Sequence, residues 1–221
     1  MSYQKMSAYF YAISPVVRYT LAALVGIHVF FVLFARTSLG YELYQSLVLE
    51  PDLVFHKAQL WRLLSYGLIH DLRSPFHLLF NGLTFYFVGQ QLEYRWGSRR
   101  LFLFLILTIL GGSIFVCMSW LLGLSNAAVV GFSAAAIGAI IAWGLSFPHY
   151  SLHLFGVLPM TGMQVVWATV AIEFLFSLGL NGDSSAAHFG GMATAAILTQ
   201  GWWRPSRIQK IFVTRNKKYF N

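Results

Sequence analysis

The chain has 221 residues, of which 57% are hydrophobic and 10% charged, with a formal net charge of +8. Soluble domains carry roughly 25% charged residues, and a soluble fold could not hide this much apolar surface. One helical membrane domain is therefore predicted, with no room for a second. A hydrocarbon core about 30 Å thick takes roughly 20 apolar residues per helix, and such stretches are read at 17–35, 76–96, 101–124, 127–147, 162–180 and 186–203. The predicted organisation is a cytoplasmic segment over 1–16, a six-helix membrane domain over 17–203 and a basic cytoplasmic tail over 204–221.

The first stretch has no basic region followed closely by an apolar core, so it is read as a retained anchor rather than a cleaved signal. Lys5 and Arg18 flank its start, Arg95, Arg99 and Arg100 cluster between the second and third stretches, and Arg204, Arg207, Lys210, Arg215, Lys217 and Lys218 fill the tail. With an even number of spans these groups fall on one side, which the positive-inside rule makes the cytoplasm. On the other side Arg36, Lys57, Arg62 and Arg73 are offset by Glu42, Glu50, Asp52 and Asp71. The basic tail lacks any nucleic-acid motif and is read as an orientation signal touching anionic lipid, so no nucleic-acid partner is expected.

Between the first two spans, residues 36–75 are too long for a simple connection and are expected to be partly embedded. Within them 60–66 is amphipathic, with Trp61 at headgroup level. The connection over 148–161 carries His149 and His153 but no Lys or Arg. Cys117 is the only cysteine, so there is no disulfide framework and no CxxC metal site, and no cofactor is expected.

Four polar residues stand out in the apolar stretches: His77 and Asn81 in the second, Ser133 in the fourth and His188 in the sixth. Each has a plain structural explanation. A membrane serine usually bonds back to its own helix, and a membrane His or Asn often joins helices through hydrogen bonds worth on the order of 0.6 kcal/mol. Together they admit a chemical one. His77 and Asn81, four apart, share a helix face. Small residues at Gly131, Ala134, Ala135, Ala136 and Gly138, and at Ala187, Gly191 and Ala195, let the Ser133 and His188 helices approach closely. A serine is a weak nucleophile unless a base within about 2.6–3.2 Å takes its proton, and His188 is the candidate base.

In these residues the chain resembles the rhomboid intramembrane serine proteases. The resemblance rests on 77–81 as HxxxN, 131–133 as the start of GxSG and 187–191 as AHxxG. It extends to Trp61-Arg62 and to 89–93 leading to Gly97, all in the family's order. It implies a six-transmembrane-helix bundle in a multi-pass membrane protein of the bacterial cytoplasmic membrane, with both termini cytoplasmic. It also implies single-span membrane protein substrates held in the lipid bilayer. Ser133 is then the nucleophile and His188 the general base, a dyad without an acidic third member. His77 and Asn81, with the Ser133 N–H, form the oxyanion site.

Asp183 is expected in a short loop, off the helical face of His188, which agrees with a missing acid. Arg62 and Glu93 are expected to be structural anchors, and His28 and His70 to make structural hydrogen bonds. Glu173 is a buried charge without an identified partner, on a helix the family uses as a substrate gate. Ala134 replaces the second Gly of GxSG, and its methyl narrows either the helix contact or the substrate approach. Ile137 stands where many members have an aromatic packing on the catalytic His, so the orientation of His188 must come from other neighbours. Two further function classes compete: a non-catalytic rhomboid-like protein that binds membrane clients, and a haem-binding bundle, which would leave Asn81 and Ser133 without a role.

Overall fold

A computed structural model describes residues 13–154, 158–179 and 182–201. The basic tail over 204–221, Trp202 and Trp203, and most of the N-terminal segment lie outside the described residues. The described chain is mainly helical. In order it forms α1 (Pro15–Phe34), α2 (Ser38–Leu47), α3 (Pro51–Lys57), α4 (Arg62–Ser65), a 3₁₀ turn (Tyr66–Leu68), α5 (Pro75–Trp96), α6 (Ser98–Leu121) and α7 (Ser133–Ser146). A hairpin of β1 (Ser151–Leu154) and β2 (Leu158–Thr161) follows, then α8 (Gly162–Ser177) and α9 (Gly182–Gln200). The helix starts are legible chemically. Pro15, Pro51 and Pro75 open α1, α3 and α5, where a missing N–H costs nothing and φ is already set. Thr161 and Gln164 form a reciprocal capping box for α8.

Three expectations need correction. The connection over 148–161 is an antiparallel hairpin, pairing Ser151 with Thr161 and Leu154 with Leu158, so the fold is not purely α-helical. Residues 36–75 are, as expected, more than a simple connection: they form three short helices and a 3₁₀ turn. The fourth helix does not span 127–147: it begins at Ser133 and has 14 residues, about 21 Å at 1.5 Å per residue. The preceding segment is extended, since Val129 and Leu49 exchange both backbone hydrogen bonds at 3.0 Å, and Gly131 takes φ +123°, which L side chains rarely adopt. Asp183 lies within α9 rather than in a loop before it.

The six long helices α1 and α5 to α9 form the bundle, and Trp143, Phe85, Phe132 and Tyr66 are fully buried at its centre. Two of them, α1 and α6, are long and apolar enough to cross a bilayer, while α7 and α8 are apolar but shorter. Large apolar side chains such as Leu33, Phe87, Leu121, Trp167 and Leu175 are exposed on the outside, the surface a membrane protein presents to lipid.

Two polar anchors fix this arrangement, as expected for Glu93 and Arg62. The Glu93 carboxylate, at the end of α5, accepts from the Val16 and Val17 N–H groups at 3.0 and 3.1 Å and from Ser98 Oγ at 2.6 Å. Orphan donors at the start of α1 thereby gain an anionic acceptor, and the start of α1, the end of α5 and the start of α6 are held together. Leu145, Ser146 and Thr199 join Arg95 and Arg100 around one cleft, so α7 and α9 also end there. Arg62 is buried and donates to Gln59 Oε1 at 2.6 Å, to the Gln45 carbonyl at 2.7 Å and to the Val48 carbonyl, with Glu50 at 3.5 Å. It ties the short helices to one another at the far end of the molecule.

Candidate active site

The site lies at the end of the bundle opposite Arg95 and Arg100, where α5 and α7 begin. Ser133 is the first residue of α7, so its N–H has no carbonyl of a preceding turn to bond and points out of the helix start. The partial positive charge of that helix terminus favours negative charge developing beside it. The extended segment and the positive φ of Gly131 put the serine in this position. A Cβ at Gly131 would lie 2.7 Å from both Cε1 and Nε2 of His77 and 3.7 Å from Ser133 Oγ. Glycine is thus required twice over, by its backbone and by an imidazole packed against its Cα. The same contact places His77 beside the serine hydroxyl.

Ser133 Oγ and His188 Nε2 are 2.8 Å apart. The approach that allows this is close. A Cβ on Gly191 would meet the Ala134 carbonyl oxygen at 2.2 Å, and one on Gly190 would meet the Gly111 carbonyl oxygen at 2.3 Å. The expected small-residue contact between the Ser133 and His188 helices is present, with Gly191 at its centre. Sequence reading missed the second half of it, the pair Gly111 and Gly112 on α6, which packs α9 from the other side. Adjacent glycines inside an apolar stretch were the available signal.

Ala134 is fully buried, and a Cβ on Gly112 would fall 2.8 Å from its methyl. The methyl therefore occupies the helix contact, not the approach to Ser133, and Gly112 makes room for it.

Asn81 is buried one turn along α5 from His77, and its Nδ2 has no hydrogen-bond partner among the described residues. A buried amide donor left unmade costs about 1–3 kcal/mol, so it is unsatisfied at a cost unless a ligand supplies an acceptor. His70, in the short-helix region, is buried and accepts from the Phe132 N–H through Nε2 at 3.3 Å, with its ring edge-on to His77 at 5.1 Å. Its structural role is as expected. Burial, reinforced by the neighbouring imidazoles of His77 and His28, pushes its pKa down to about 3, so the ring stays neutral and keeps a lone pair for Phe132. His28 is buried, and its Nδ1 has no hydrogen-bond partner among the described residues.

The reading of an acid-free dyad requires correction as geometry. Glu173 Oε2, on α8, lies 2.7 Å from His188 Nδ1. The side chains are 12% and 18% exposed respectively, so the pair is largely shielded from solvent. A lone glutamate in an apolar helix was visible in the sequence, but nothing in its spacing named a partner on another helix.

A model of the Rhomboid domain family matches residues 57–204, about two thirds of the chain. The chain belongs to the rhomboid family. It is also 33% identical over 143 residues to RHOMBOID-like protein 4 of Arabidopsis thaliana, a match covering 62% of this chain and 33% of that protein. This rhomboid thus spans about a third of the length of the curated relative it matches, and its membrane-integral character agrees with the apolar helices and exposed apolar surface.

Proposed function

We propose that this rhomboid is an intramembrane serine endopeptidase that cleaves single-span membrane protein substrates. The observation that carries the reading is the 2.8 Å contact between Ser133 Oγ and His188 Nε2, within the reach a general base needs. In the proposed reaction Ser133 Oγ attacks the scissile carbonyl carbon as its proton passes to His188 Nε2. The oxyanion is met by the Ser133 N–H, by His77 at Nε2 and by Asn81 Nδ2, donors worth about 2.7–4 kcal/mol each in such a site. His188 then gives the proton to the leaving amine. Water enters from the end of the bundle where α7 begins and, deprotonated by His188, releases the acyl group.

In this reading the six long helices cross the bilayer, with α7 and α8 spanning it together with their flanking segments. Arg95, Arg99 and Arg100 then mark the cytoplasmic side, where both termini also lie, and the membrane in this reading is a bacterial cytoplasmic membrane. The partners are the substrate helix and the lipid.

Ser133→Ala and His188→Ala should each abolish cleavage of a tagged single-span substrate in proteoliposomes, and Ser133→Ala should abolish labelling by a fluorophosphonate probe. A folded wild-type protein that neither labels nor cleaves would instead mark a binder of membrane clients.

A further inference from the structure

We infer that Glu173 is a positioning residue for His188, turning the serine and imidazole into a three-member chain that runs from α7 through α9 to α8. The inference rests on the protease reading above and adds to it a residue whose partner no motif names. A neutral imidazole has two tautomers, and only the one with an unprotonated Nε2 can accept the Ser133 proton. A carboxylate at Nδ1 selects that tautomer, because it accepts the Nδ1–H. The observed spacing has this form: 2.7 Å from Glu173 Oε2 to Nδ1 on one edge of the ring and 2.8 Å from Nε2 to Ser133 Oγ on the other.

A packing role alone explains the glutamate poorly. Ionisable side chains within membrane helices are costly and normally paired, and His188 is the ion-pair partner of Glu173 among the described residues. The buried residues of α8 are Gly162 and Val166 in its first half, where Gly144 meets Gly162 backbone. Around Glu173 the helix is loosely covered, with Ile172, Phe174, Leu175 and Phe176 all more than half exposed. The carboxylate is therefore not carried into place by a tight apolar seam; it reaches in from a helix segment whose neighbours face outward.

The proton inventory closes without a further reactant. The Ser133 proton moves to Nε2 as the Oγ–carbon bond forms, Nδ1 keeps its proton, and Glu173 stays ionised opposite the imidazolium. When the C–N bond breaks, the Nε2 proton leaves with the amine. Glu173 never exchanges a proton; it orients the ring and faces the charge that appears on it.

The test uses the whole chain in detergent and follows the rate of fluorophosphonate labelling of Ser133, together with ¹⁵N imidazole spectra of His188. The expected wild-type spectrum shows protonated Nδ1 and unprotonated Nε2. Glu173→Gln keeps the shape, removes the charge and offers N–H to Nδ1. It should slow labelling by about 10²–10⁴-fold through the wrong tautomer and shift the ¹⁵N pattern toward a protonated Nε2. Glu173→Asp keeps the charge and should label faster than Glu173→Gln.

A purely structural role predicts the opposite order, with the isosteric Gln close to wild type in both labelling rate and tautomer, and that result overturns the inference while leaving the protease reading intact. A wild-type His188 protonated at Nε2 overturns it too. Absence of labelling in a wild type that shows the Nδ1–H tautomer, lost in Glu173→Gln, sinks the protease reading and sustains the hold of the carboxylate on His188.

Discussion

Gly191→Ala tests whether the helix contact, and not the motif residues alone, makes the site. A methyl at this position would sit 2.2 Å from the Ala134 carbonyl oxygen and 2.9 Å from the Ala134 Cα, whereas ordinary contact begins near 3.4 Å. Both neighbours are backbone, so no side chain can swing aside, and α7 and α9 must part by about 1 Å. Overpacking of this kind costs about 1–3 kcal/mol of stability. The functional effect should be larger than that figure implies. Ser133 is adjacent to Ala134, and His188 lies one turn before Gly191. The same displacement therefore lengthens the 2.8 Å Ser133–His188 contact beyond the range of a working hydrogen bond, and a misplacement of about 1 Å can cost 10²-fold in rate. The assay is cleavage of a tagged substrate in proteoliposomes beside thermal unfolding in detergent. Gly26→Ala serves as control, because a Cβ there meets nothing within 4 Å. Gly191→Ala protein that cleaves at the wild-type rate would refute the claim that this contact sets the reacting distance.

Other outcomes follow from neighbouring residues. Asn81→Ala should lower kcat by about 10²–10³-fold with little change in unfolding temperature, since the Nδ2 it removes has no partner to lose; a stability loss without a rate loss would place Asn81 in packing instead. Ala134→Gly, which restores the family's GxSG, should keep cleavage activity and lower stability by about 1 kcal/mol or more from helix propensity and the vacated methyl, as read by thermal unfolding. Faster cleavage would mean that the methyl obstructs substrate after all. His70 takes up a proton less readily folded, near 3, than in an unfolded chain, near 6.5. The unfolded state then binds more protons in that window, so the stability contribution is full above 6.5 and lost as pH falls toward 3. His70→Gln should flatten this slope in acid unfolding curves.

What the sequence determined follows from local chemistry. An apolar fraction too large for water forced a membrane bundle, and the ordered motifs named Ser133, His188, His77 and Asn81. Small residues clustered around Ser133, and spaced every four positions along the His188 helix, even foretold which helices meet. The misreadings arose where the deciding partner is distant in the chain. Residues 127–132 are as apolar as the helix that follows. Their extended shape depends on Leu49 pairing with Val129 and on the His77 ring lying against Gly131, contacts that hydropathy does not carry.

Whether the Ala134 methyl faces substrate or protein was decided by Gly112 on α6, a helix with no motif residue. Glu173 is the sharpest case. Its charge in an apolar helix marked it as unusual, but only the packing of α8 beside α9 put its carboxylate on His188. The sequence could supply a serine and a base. The hand that orients the base came from tertiary structure, because an imidazole's tautomer is fixed by whatever reaches its second nitrogen, and that is a matter of proximity in space.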